Sequence, residues 1–546
     1  MSNVKTPEDL LDRILRAAAL HPDRPALSGH RGRTLRYRDL AVAVLATAKG
    51  LRRNGFRPGD QMLYCVRPDP SGIVLLLGTV AAGGVIVFLD QRWDTATFAA
   101  RAASVGARWA ANESVLYTDR RIRPGAHALT LPDYPALGIR TLRAGPWLPG
   151  VPRGSLSVSG LAKGRYPLDD EVLPGLRGDP HAEAVVIHTA GTTAPPKAVV
   201  HTRGSLGSNL TVLAAHCQIA ERATVFTHQL MVGLPALAVG AHWRLPAFGP
   251  SARMDPVRFA RGMGRATHTF LRPSDLSALL TAVSERLAPR PPALQQILVG
   301  GAPVLAALVR RSLEVLPGVG VLSVYGMTEI LAVAIADEEE KLTASGPGDP
   351  AGALLPGVTA RVAGDGELIL TGPSLAKGYV GGPALTEFAT GDLATLDGRS
   401  LVLHGRKRDL IVRGRTLIYP ALYEPLAESI PGVGHAALIG IPDDAGDERL
   451  LLAVQPAGQP VNDHALAEQP KESHTRAAAP ADPPSFSVLF DHPLAATIRS
   501  ALPGLVDEGS LPDEIVVVSA IPTVGRGQAP DRVALRRLLA NPPGDS

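Results

Sequence analysis

The chain has few aromatic residues (4%), two cysteines and only eight lysines among its 546 residues. Cys65 and Cys217 have no CxxC or CxxH companion, which argues against a zinc motif of ordinary spacing and favours reduced, structural thiols. Lys and Arg number 55 against 51 Asp and Glu, and no basic run is backed by aromatic residues. We therefore expect a cytoplasmic protein without a nucleic-acid partner.

Long hydrophobic runs are also scarce. One uncharged segment, Ser71–Leu89, could imitate a membrane span. Gly83 and Gly84 interrupt it and a β-branched run follows, so the pattern predicts a buried helix, a turn and a buried strand instead. The amino-terminal segment is charged and helix-like, unlike a signal peptide. We expect no membrane span.

The length of the chain predicts two or more domains. Helical and strand-like runs alternate through about the first 115 residues and again up to VLSVYGMTEI, Val321–Ile330. This alternation predicts an α/β fold in which largely parallel sheets are flanked by helices. Between about Asp119 and Pro180 the pattern weakens into Pro- and Gly-rich stretches, which we interpret as a long surface excursion.

A smaller α+β domain is predicted to follow the large one. Its sequence contains a helix near Tyr423–Ile430, a strand near Ala436–Ile441 and a final basic helix, RVALRRLLA. Residues 456–485 are rich in Ala, Pro, Gln and His, a composition typical of a flexible insertion. We place the two domains at residues 1–408 and 409–546.

One loop carries an unusual set of residues. HTAGTTAPPK, His188–Lys197, follows an apolar run and combines Gly and Thr with a single Lys. It lacks the second Gly before the Lys, and the Ser or Thr after it, that the phosphate loop of nucleoside triphosphatases requires. On these residues alone, the loop is either a phosphate-binding turn or a plain turn.

Further motifs follow this loop along the chain, and their order is informative. In order, the chain carries HTAGTTAPPK, GGAP at Gly300–Pro303, VYGMTE at Val324–Glu329, GELILTGPSLAKGY at Gly366–Tyr379, TGD at Thr390–Asp392 and GRKRDLIVRGRTLIYPALYE at Gly405–Glu424. This ordered set resembles the adenylate-forming superfamily of AMP-binding enzymes, which includes acyl-CoA synthetases, adenylation domains and luciferases. The resemblance covers roughly residues 10–539. It implies a large N-terminal domain with a distorted barrel-like part and a small, mobile C-terminal domain.

The resemblance assigns the opening loop to the β,γ-phosphates of ATP. The family's loop is matched at Thr189, Gly191, Thr192, Thr193 and Lys197. Of these, three would contact the phosphates, namely Thr192, Thr193 and Lys197. Three alanines at positions 190, 194 and 198 depart from the family pattern. A Gly-to-Ala change is strained where φ must be positive. A relic loop that no longer binds phosphate is the alternative.

The same resemblance assigns the nucleotide contacts. Tyr325 would stack on adenine, with Gly326 beside it, while Thr328 bonds the α-phosphate and Glu329 holds Mg²⁺ with a hard oxygen ligand. A carboxylate such as Asp392 accepts two hydrogen bonds, as the two ribose hydroxyls require. The remaining contacts would be Gly300, Gly301 and Ala302 along the adenine edge and Arg406 near ribose and phosphate.

The predicted small domain departs from the family at two positions. Asp409 would be the hinge about which this domain moves between adenylate formation and thiol attack. The family's catalytic Lys is replaced by Gln528, with Arg526 two residues before it. Gly414 is kept beside the expected pantetheine tunnel, where Arg415 replaces the family's second Gly.

These residues imply ATP-dependent activation of a carboxylic acid to an acyl-adenylate. Three interpretations remain open. The first is an acyl-CoA synthetase that uses ATP, Mg²⁺ and CoA, as in fatty acid metabolism. The second is a ligase that passes the acyl group to an amine, a carrier-protein thiol or an internal hydroxyl. The third is a degenerate binding protein with little turnover, because a lost cation in a dry site costs on the order of 10²–10³ in rate.

The substrate region gives one negative signal. Amino-acid-activating relatives commonly place an Asp early in the pocket, but no acidic residue occurs between Phe226 and Pro246. We therefore expect a carboxylic acid without a free α-amine and with a largely apolar tail. His228 and Gly233 are candidate pocket residues, although a lone His is more often structural.

Overall fold

The computed structural model describes most of the chain. The described residues are 9–30, 34–90, 93, 95–118, 130–163, 178–189, 197–247, 254–344, 348–413, 416–442, 448–458, 486–506, 510–524 and 529–540. Several predictions fall outside them, namely those on Gly191, Thr192, Thr193, Gly414, Arg415, Arg526, Gln528 and residues 459–485 of the expected insertion.

The amino-terminal part alternates helices and strands, as its pattern predicts. In chain order the elements are α1 (Leu10–Leu20), β1 (Pro25–Ser28), β2 (Thr34–Arg36), α2 (Tyr37–Arg53), β3 (Gln61–Cys65), α3 (Pro70–Ala81), β4 (Val85–Phe88), α4 (Thr95–Ala103), β5 (Trp109–Glu113), β6 (Arg140–Ala144), β7 (Leu156–Ser157), α5 (Val158–Leu161), β8 (Glu183–His188), β9 (Ala198–Thr202) and α6 (Arg203–His216).

The central part continues this alternation and ends in antiparallel strands. Its elements are β10 (Thr224–Phe226), α7 (Leu230–Ala238), β11 (His242–Arg244), α8 (Pro256–Met263), β12 (His268–Leu271), α9 (Pro273–Ser284), β13 (Gln296–Gly300), α10 (Ala306–Val315), β14 (Gly320–Tyr325), β15 (Ala334–Ala336), α11 (Glu338–Thr343), β16 (Asp349–Leu354), β17 (Thr359–Val362), β18 (Glu367–Thr371), β19 (Gly378–Tyr379), β20 (Phe388–Asp397) and β21 (Ser400–Arg406).

The uncharged segment at residues 71–89 folds as its pattern predicts. Asp69 caps α3, its side chain accepting a hydrogen bond from the backbone N of Gly72 at 2.7 Å. Pro70 occupies the first turn, where a missing N–H costs nothing. Gly83 then adopts φ +81°, and the chain turns directly into β4. No helix among the described residues is long and apolar enough to cross a membrane.

Two large sheets form the framework. One has the strand order β19-β9-β8-β4-β3-β5-β6-β7, with parallel pairing from β8 to β7. The other runs β17-β18-β20-β21-β16-β15-β14-β13-β12-β10-β11-β1-β2, parallel from β14 to β1 and antiparallel from β14 to β17. One apolar cluster joins both sheets through buried residues of α1, α2, α3, α6 and α7. The α/β prediction is confirmed.

The interpretation of residues 119–180 as a surface excursion is wrong in part. Strand β6 pairs with β5 in parallel, with Trp109 opposite Arg140, and β7 extends the same edge. Leu142 of β6 is fully buried. The strands are short and lie between Pro- and Gly-rich stretches, so their periodicity is too brief to detect in the sequence.

The carboxy-terminal part has its own sheets. Its elements are β22 (Ile411–Arg413), β23 (Thr416–Ile418), α12 (Pro420–Glu428), β24 (Val433–Pro442), β25 (Glu448–Pro456), α13 (Pro493–Ala501), β26 (Glu514–Val517), β27 (Thr523–Val524), β28 (Ala529–Pro530) and α14 (Arg532–Ala540). Among the described strands, β22–β28 pair only with one another. This α+β unit agrees with the boundary expected at residues 408–409, which stays a prediction.

Candidate functional site

The loop after β8 closes as a hairpin onto β9. Strands β8 and β9 are antiparallel, with His188 opposite Ala198. The backbone N of Thr189 donates to the carbonyl O of Lys197 at 2.9 Å, which fixes the base of the loop. Lys197 is exposed, and its Nζ lies 4.9 Å from the centroid of the Tyr379 ring. Of the loop residues we singled out, Thr189 and Lys197 are therefore the two whose positions can be given.

Strand β19 places Tyr379 beside this loop. It pairs antiparallel with β9, with Tyr379 opposite Val199 and Gly378 opposite Val200. The Tyr379 hydroxyl donates to Oε1 of Glu329 at 2.9 Å. One tyrosine thus contacts both the candidate phosphate lysine and the candidate metal ligand. We call Tyr379, Glu329 and Lys197 the Glu329 set.

A tight turn after β14 carries Glu329. The backbone N of Met327 donates to the carbonyl O of Ile330 at 2.9 Å. A Cβ on Gly326 would lie 2.2 Å from the carbonyl O of Leu331, so only glycine fits there. Glu329 is 8% exposed, which holds its carboxylate at the edge of the core rather than in free solvent.

His201 contacts the same turn through the backbone of Thr328. The sequence did not lead us to expect a role for this histidine. Its Nε2 lies 2.7 Å from the carbonyl O of Thr328, so this nitrogen carries the proton and donates. Its Nδ1 faces the hydroxyl of Ser205 at 3.2 Å. Burial lowers the pKa of His201, which favours this neutral form. The signal that could have found it is its place four residues after Lys197.

A second set of predicted residues meets at the end of β14. The Tyr325 hydroxyl donates to Oδ2 of Asp392 at 2.5 Å, and Nε of Arg406 lies 2.7 Å from Oδ1. Arg406 also donates to the carbonyl O of Thr390 at 3.0 Å. Asp392 and Arg406 face each other on the antiparallel pair β20–β21. We call Tyr325, Asp392 and Arg406 the Asp392 set.

Burial dominates the electrostatics of the Asp392 set. Asp392 is 6% exposed, and this burial raises the pKa of its carboxyl, although Arg406 and the Tyr325 hydroxyl act in the opposite direction. Burial also raises the pKa of the Tyr325 hydroxyl, with the neighbouring Asp392 charge adding to the effect. Tyr325 is therefore a neutral donor at physiological pH.

The GGAP segment follows β13 next to β14. A Cβ on Gly300 would lie 2.6 Å from the carbonyl O of Val324, so the two strands approach too closely for a side chain. Gly301 adopts φ +85°, and both Gly301 and Ala302 are exposed. The structure thus leaves the backbone of this segment accessible at the surface beside the Tyr325 strand.

The two candidate pocket residues have structural roles in this fold. His228 Nε2 lies 2.8 Å from the carbonyl O of Pro246, and burial lowers its pKa. A Cβ on Gly233 would lie 2.0 Å from the ring of Trp243, which is fully buried. Packing therefore accounts for glycine at 233, and a pocket role of either residue stays a prediction.

An arginine that sequence reasoning missed connects the candidate hinge to the carboxy-terminal unit. Arg532 Nη2 lies 2.7 Å from both carboxylate oxygens of Glu424, and its Nη1 lies 3.3 Å from Oδ2 of Asp409. Glu424 also accepts from the backbone N of Leu438 at 2.8 Å. Asp409 thus contacts the first residue of α14. Its role as a hinge stays a prediction.

The chemistry of Glu329 suits a divalent cation shared with phosphate. Among the described residues no group of three or more His, Cys, Asp or Glu could hold a metal ion. Mg²⁺ commonly keeps several waters and binds through one or two carboxylates plus substrate phosphates. Glu329 is a single, largely buried carboxylate in the same set as an exposed lysine, which fits that mode of Mg²⁺ binding. It does not fit a metal site in which protein groups supply every ligand.

The chain is similar in sequence to proteins of known function. The model of the AMP-binding enzyme family matches residues 14–380. A feruloyl-CoA synthase of Amycolatopsis sp is 31% identical, over 81% of this chain and 88% of the relative. The salicyl-AMP ligase / salicyl-S-ArCP synthetase of Mycobacterium tuberculosis is 27% identical, over 97% of this chain and 90% of the relative.

A solved structure shows the same fold. ATP-bound MatB from Rhodopseudomonas palustris superposes with a TM-score of 0.71 at 22% identity, covering 98% of this chain and 99% of that one. The family match spans most of the chain and includes both the Lys197 loop and the Glu329 turn. The chain therefore belongs to the AMP-binding enzyme family, among its AMP-forming acid–thiol ligases.

Proposed function

We propose that this protein uses ATP to activate a carboxylic acid that has no free α-amine and an apolar, aromatic tail, and then transfers the acyl group to CoA. The observation that carries the proposal is the Asp392 set beside the Glu329 set. Together they offer a π face, a carboxylate for two hydroxyls, a second carboxylate and the ammonium of an exposed lysine. Those groups match adenine, ribose, a divalent cation and phosphate.

The proposed reaction has two steps. In the first, a carboxylate oxygen of the acid attacks the α-phosphorus of ATP and pyrophosphate leaves. In the second, the CoA thiolate attacks the acyl carbonyl and AMP leaves. Lys197 would stabilise the charge that develops on the departing pyrophosphate, and Asp392 would hold the ribose during both steps.

Magnesium is part of the proposal. Glu329 would hold Mg²⁺, which when bound supplies positive charge to the phosphate oxygens. The Tyr379 hydroxyl would keep the Glu329 carboxylate oriented, and His201 would hold the carbonyl of the adjacent Thr328. Thr192 and Thr193 would add neutral hydroxyl donors to the phosphates.

One observation favours an aromatic acid over a fatty acid. The relatives named above act, by their names, on feruloyl and salicyl groups. A separate observation disfavours an amino acid, since no acidic residue occurs between residues 226 and 246 to hold an α-ammonium group. His228 and Gly233 remain candidates for the lining of this pocket. A cytoplasmic location and a role in fatty acid metabolism are expectations from sequence alone.

A different acyl acceptor is the second candidate. Gln528 stands where the family's catalytic Lys is expected, and Arg415 stands beside Gly414 at the expected tunnel. The salicyl-AMP relative is also named a salicyl-S-ArCP synthetase, so a carrier-protein thiol is a concrete alternative to CoA. An amine or an internal hydroxyl, and a member with little turnover, are the remaining interpretations of Gln528.

ATP–pyrophosphate exchange separates these possibilities. We expect exchange with hydroxycinnamic and hydroxybenzoic acids, weaker exchange with straight-chain acids and none with amino acids. ATP binding without exchange for any acid would contradict both enzymatic candidates. CoA consumption, followed by mass spectrometry of the acyl product, then distinguishes acyl-CoA synthesis from transfer to another nucleophile.

A further inference from the structure

One tyrosine lies between two oppositely charged candidate residues. Tyr379 donates its hydroxyl to Glu329 at 2.9 Å, while Nζ of Lys197 lies 4.9 Å from the centroid of the same ring. Lys197 and Glu329 both lie in the described part of the chain, and no ion pair joins them. The ring therefore separates an ammonium and a carboxylate that would attract each other.

The backbone fixes Tyr379 at this position. On one side, the backbone N of Lys377 donates to Val200 at 2.8 Å and that of Val380 donates to Ala198 at 2.9 Å, which adds β19 to the strand that follows Lys197. On the other side, the backbone N of Ala376 donates to the carbonyl O of Glu329 at 2.9 Å. The segment is thus tied to Glu329 and to the strand that begins directly after Lys197.

Each of the two charged groups makes one favourable contact with Tyr379, and neither contact cancels the charge of the group. The electron-rich face of the ring attracts the ammonium, and the hydroxyl donates a hydrogen bond to the carboxylate. A direct Lys197–Glu329 ion pair would instead occupy both groups with each other. We propose that Tyr379 is a positioning residue that keeps Lys197 and Glu329 apart, so that the ammonium stays available to phosphate and the carboxylate to a divalent cation. The inference rests on the proposed function of this site.

Two substitutions at Tyr379 separate the two contacts. Tyr379→Phe removes the hydroxyl and keeps the ring, whereas Tyr379→Leu removes both. Calorimetric titration with ATP, with and without Mg²⁺, measures each contact. For the Phe variant we expect unchanged metal-free affinity and a Mg²⁺-dependent gain that is smaller by about threefold to tenfold. For the Leu variant we expect metal-free affinity to fall as well, by about twofold to fivefold, because Lys197 is released to pair with Glu329.

Tyr117 provides the matched control. Its hydroxyl accepts from the Asn112 side chain at 3.0 Å and donates to the carbonyl O of Leu142 at 3.2 Å, in the β5–β6 part of the eight-stranded sheet. Tyr117→Phe and Tyr117→Leu remove a hydrogen-bonded hydroxyl and a ring from the protein without touching Lys197 or Glu329. We expect both to lower thermal stability and to leave the Mg²⁺ dependence of ATP binding at the wild-type value.

A double-mutant cycle tests the separation itself. Glu329→Gln removes the charge that would capture Lys197, so it should raise metal-free ATP affinity more in the Tyr379→Leu background than in the wild type, by about twofold or more. An equal gain in both backgrounds overturns the inference. If the Leu variant does not fold, the Phe variant decides, and an unchanged Mg²⁺ dependence there overturns it. Wild-type protein that binds no ATP with Mg²⁺ contradicts the proposed function instead.

Discussion

The Asp392 set and the Glu329 set contain the same kinds of group in different arrangements. Each has a tyrosine whose hydroxyl donates to a buried carboxylate. In the Asp392 set the base also bonds the carboxylate, since Nε of Arg406 lies 2.7 Å from it. In the Glu329 set the base lies over the tyrosine ring instead. The first set neutralises its own charges, and the second leaves both available to a ligand.

The two arrangements are expected to affect the stability of the fold and the rate of the reaction differently. Removing one partner of a neutralised pair leaves a charge without its counter-charge, which destabilises the fold, and the intact set offers a ligand only its remaining hydrogen-bonding capacity. An open set contributes little to folding, but its charges act on phosphate in the reaction. We therefore expect substitutions in the Glu329 set to change rates more than stability, and substitutions in the Asp392 set to change both.

The largest effect is expected at Lys197. Lys197→Met removes the exposed ammonium and keeps a flexible chain over the Tyr379 ring. ATP–pyrophosphate exchange should fall by about 10²–10³-fold, while the melting temperature stays within about 2 °C of the wild type because an exposed side chain is changed. Lys377→Met is the control, since Lys377 is half exposed and pairs with Glu183 at 2.7 Å. Equal losses in both variants would contradict an open Glu329 set.

The rate of ATP–pyrophosphate exchange is expected to rise when the family's lysine is restored at position 528. Gln528→Lys adds a cation at that position, and we expect exchange to rise by about tenfold or more, because a charge near the α-phosphate is worth more than a neutral amide. Gln295→Lys adds the same charge at an exposed position and should leave the rate unchanged. An unchanged rate in Gln528→Lys would contradict the expectation that the missing lysine charge limits the first step.

The Asp392 set should respond in both binding and stability. In Asp392→Asn, Arg406 loses its ionic partner while Tyr325 keeps an oxygen to which it can donate. We expect KM for ATP to rise by about tenfold and the melting temperature to fall by a few degrees, as one charge-assisted bond is lost. Asp397→Asn, at an exposed position on the same strand, is the control. A raised KM without loss of stability would contradict a self-neutralised set.

The smallest effect concerns the pair formed by Glu424 and Arg532. Burial raises the pKa of Glu424 to about 7, although Arg532 acts in the opposite direction. A carboxyl whose pKa is raised on folding contributes stability that is present below its unfolded pKa and is lost as pH rises through its folded value. The melting temperature of Glu424→Gln relative to wild type should therefore increase between pH 5 and about pH 8. A relative decrease over that range would mean that Arg532 outweighs burial.

The sequence predicted those parts of the site that lie within contiguous motifs. Tyr325 and Glu329 share one motif, and the turn between them is set by Gly326, whose missing side chain the fold requires. The alternating pattern likewise predicted the helix, turn and strand of residues 71–89. Local periodicity and local turn chemistry were sufficient in these cases.

Contacts between distant segments could not be read in the same way. Tyr379 meets Glu329 across 50 residues, and His201 meets Thr328 across 127. Tyr379 is the last residue of GELILTGPSLAKGY, one of the motifs behind the family resemblance. That motif does not indicate which residues Tyr379 contacts. Arg532 reaches Glu424 across 108 residues. Such pairs depend on how strands and helices that are distant in the chain are arranged in space, which one sequence does not specify.

The most direct test of the central claim follows an oxygen atom. The acid is labelled with heavy oxygen in its carboxylate, incubated with the protein, ATP, Mg²⁺ and CoA, and the AMP is analysed by mass spectrometry. Attack of the carboxylate on the α-phosphorus predicts that AMP carries one labelled oxygen from the acid. Unlabelled AMP, or ADP and inorganic phosphate in its place, would contradict adenylate formation by this protein.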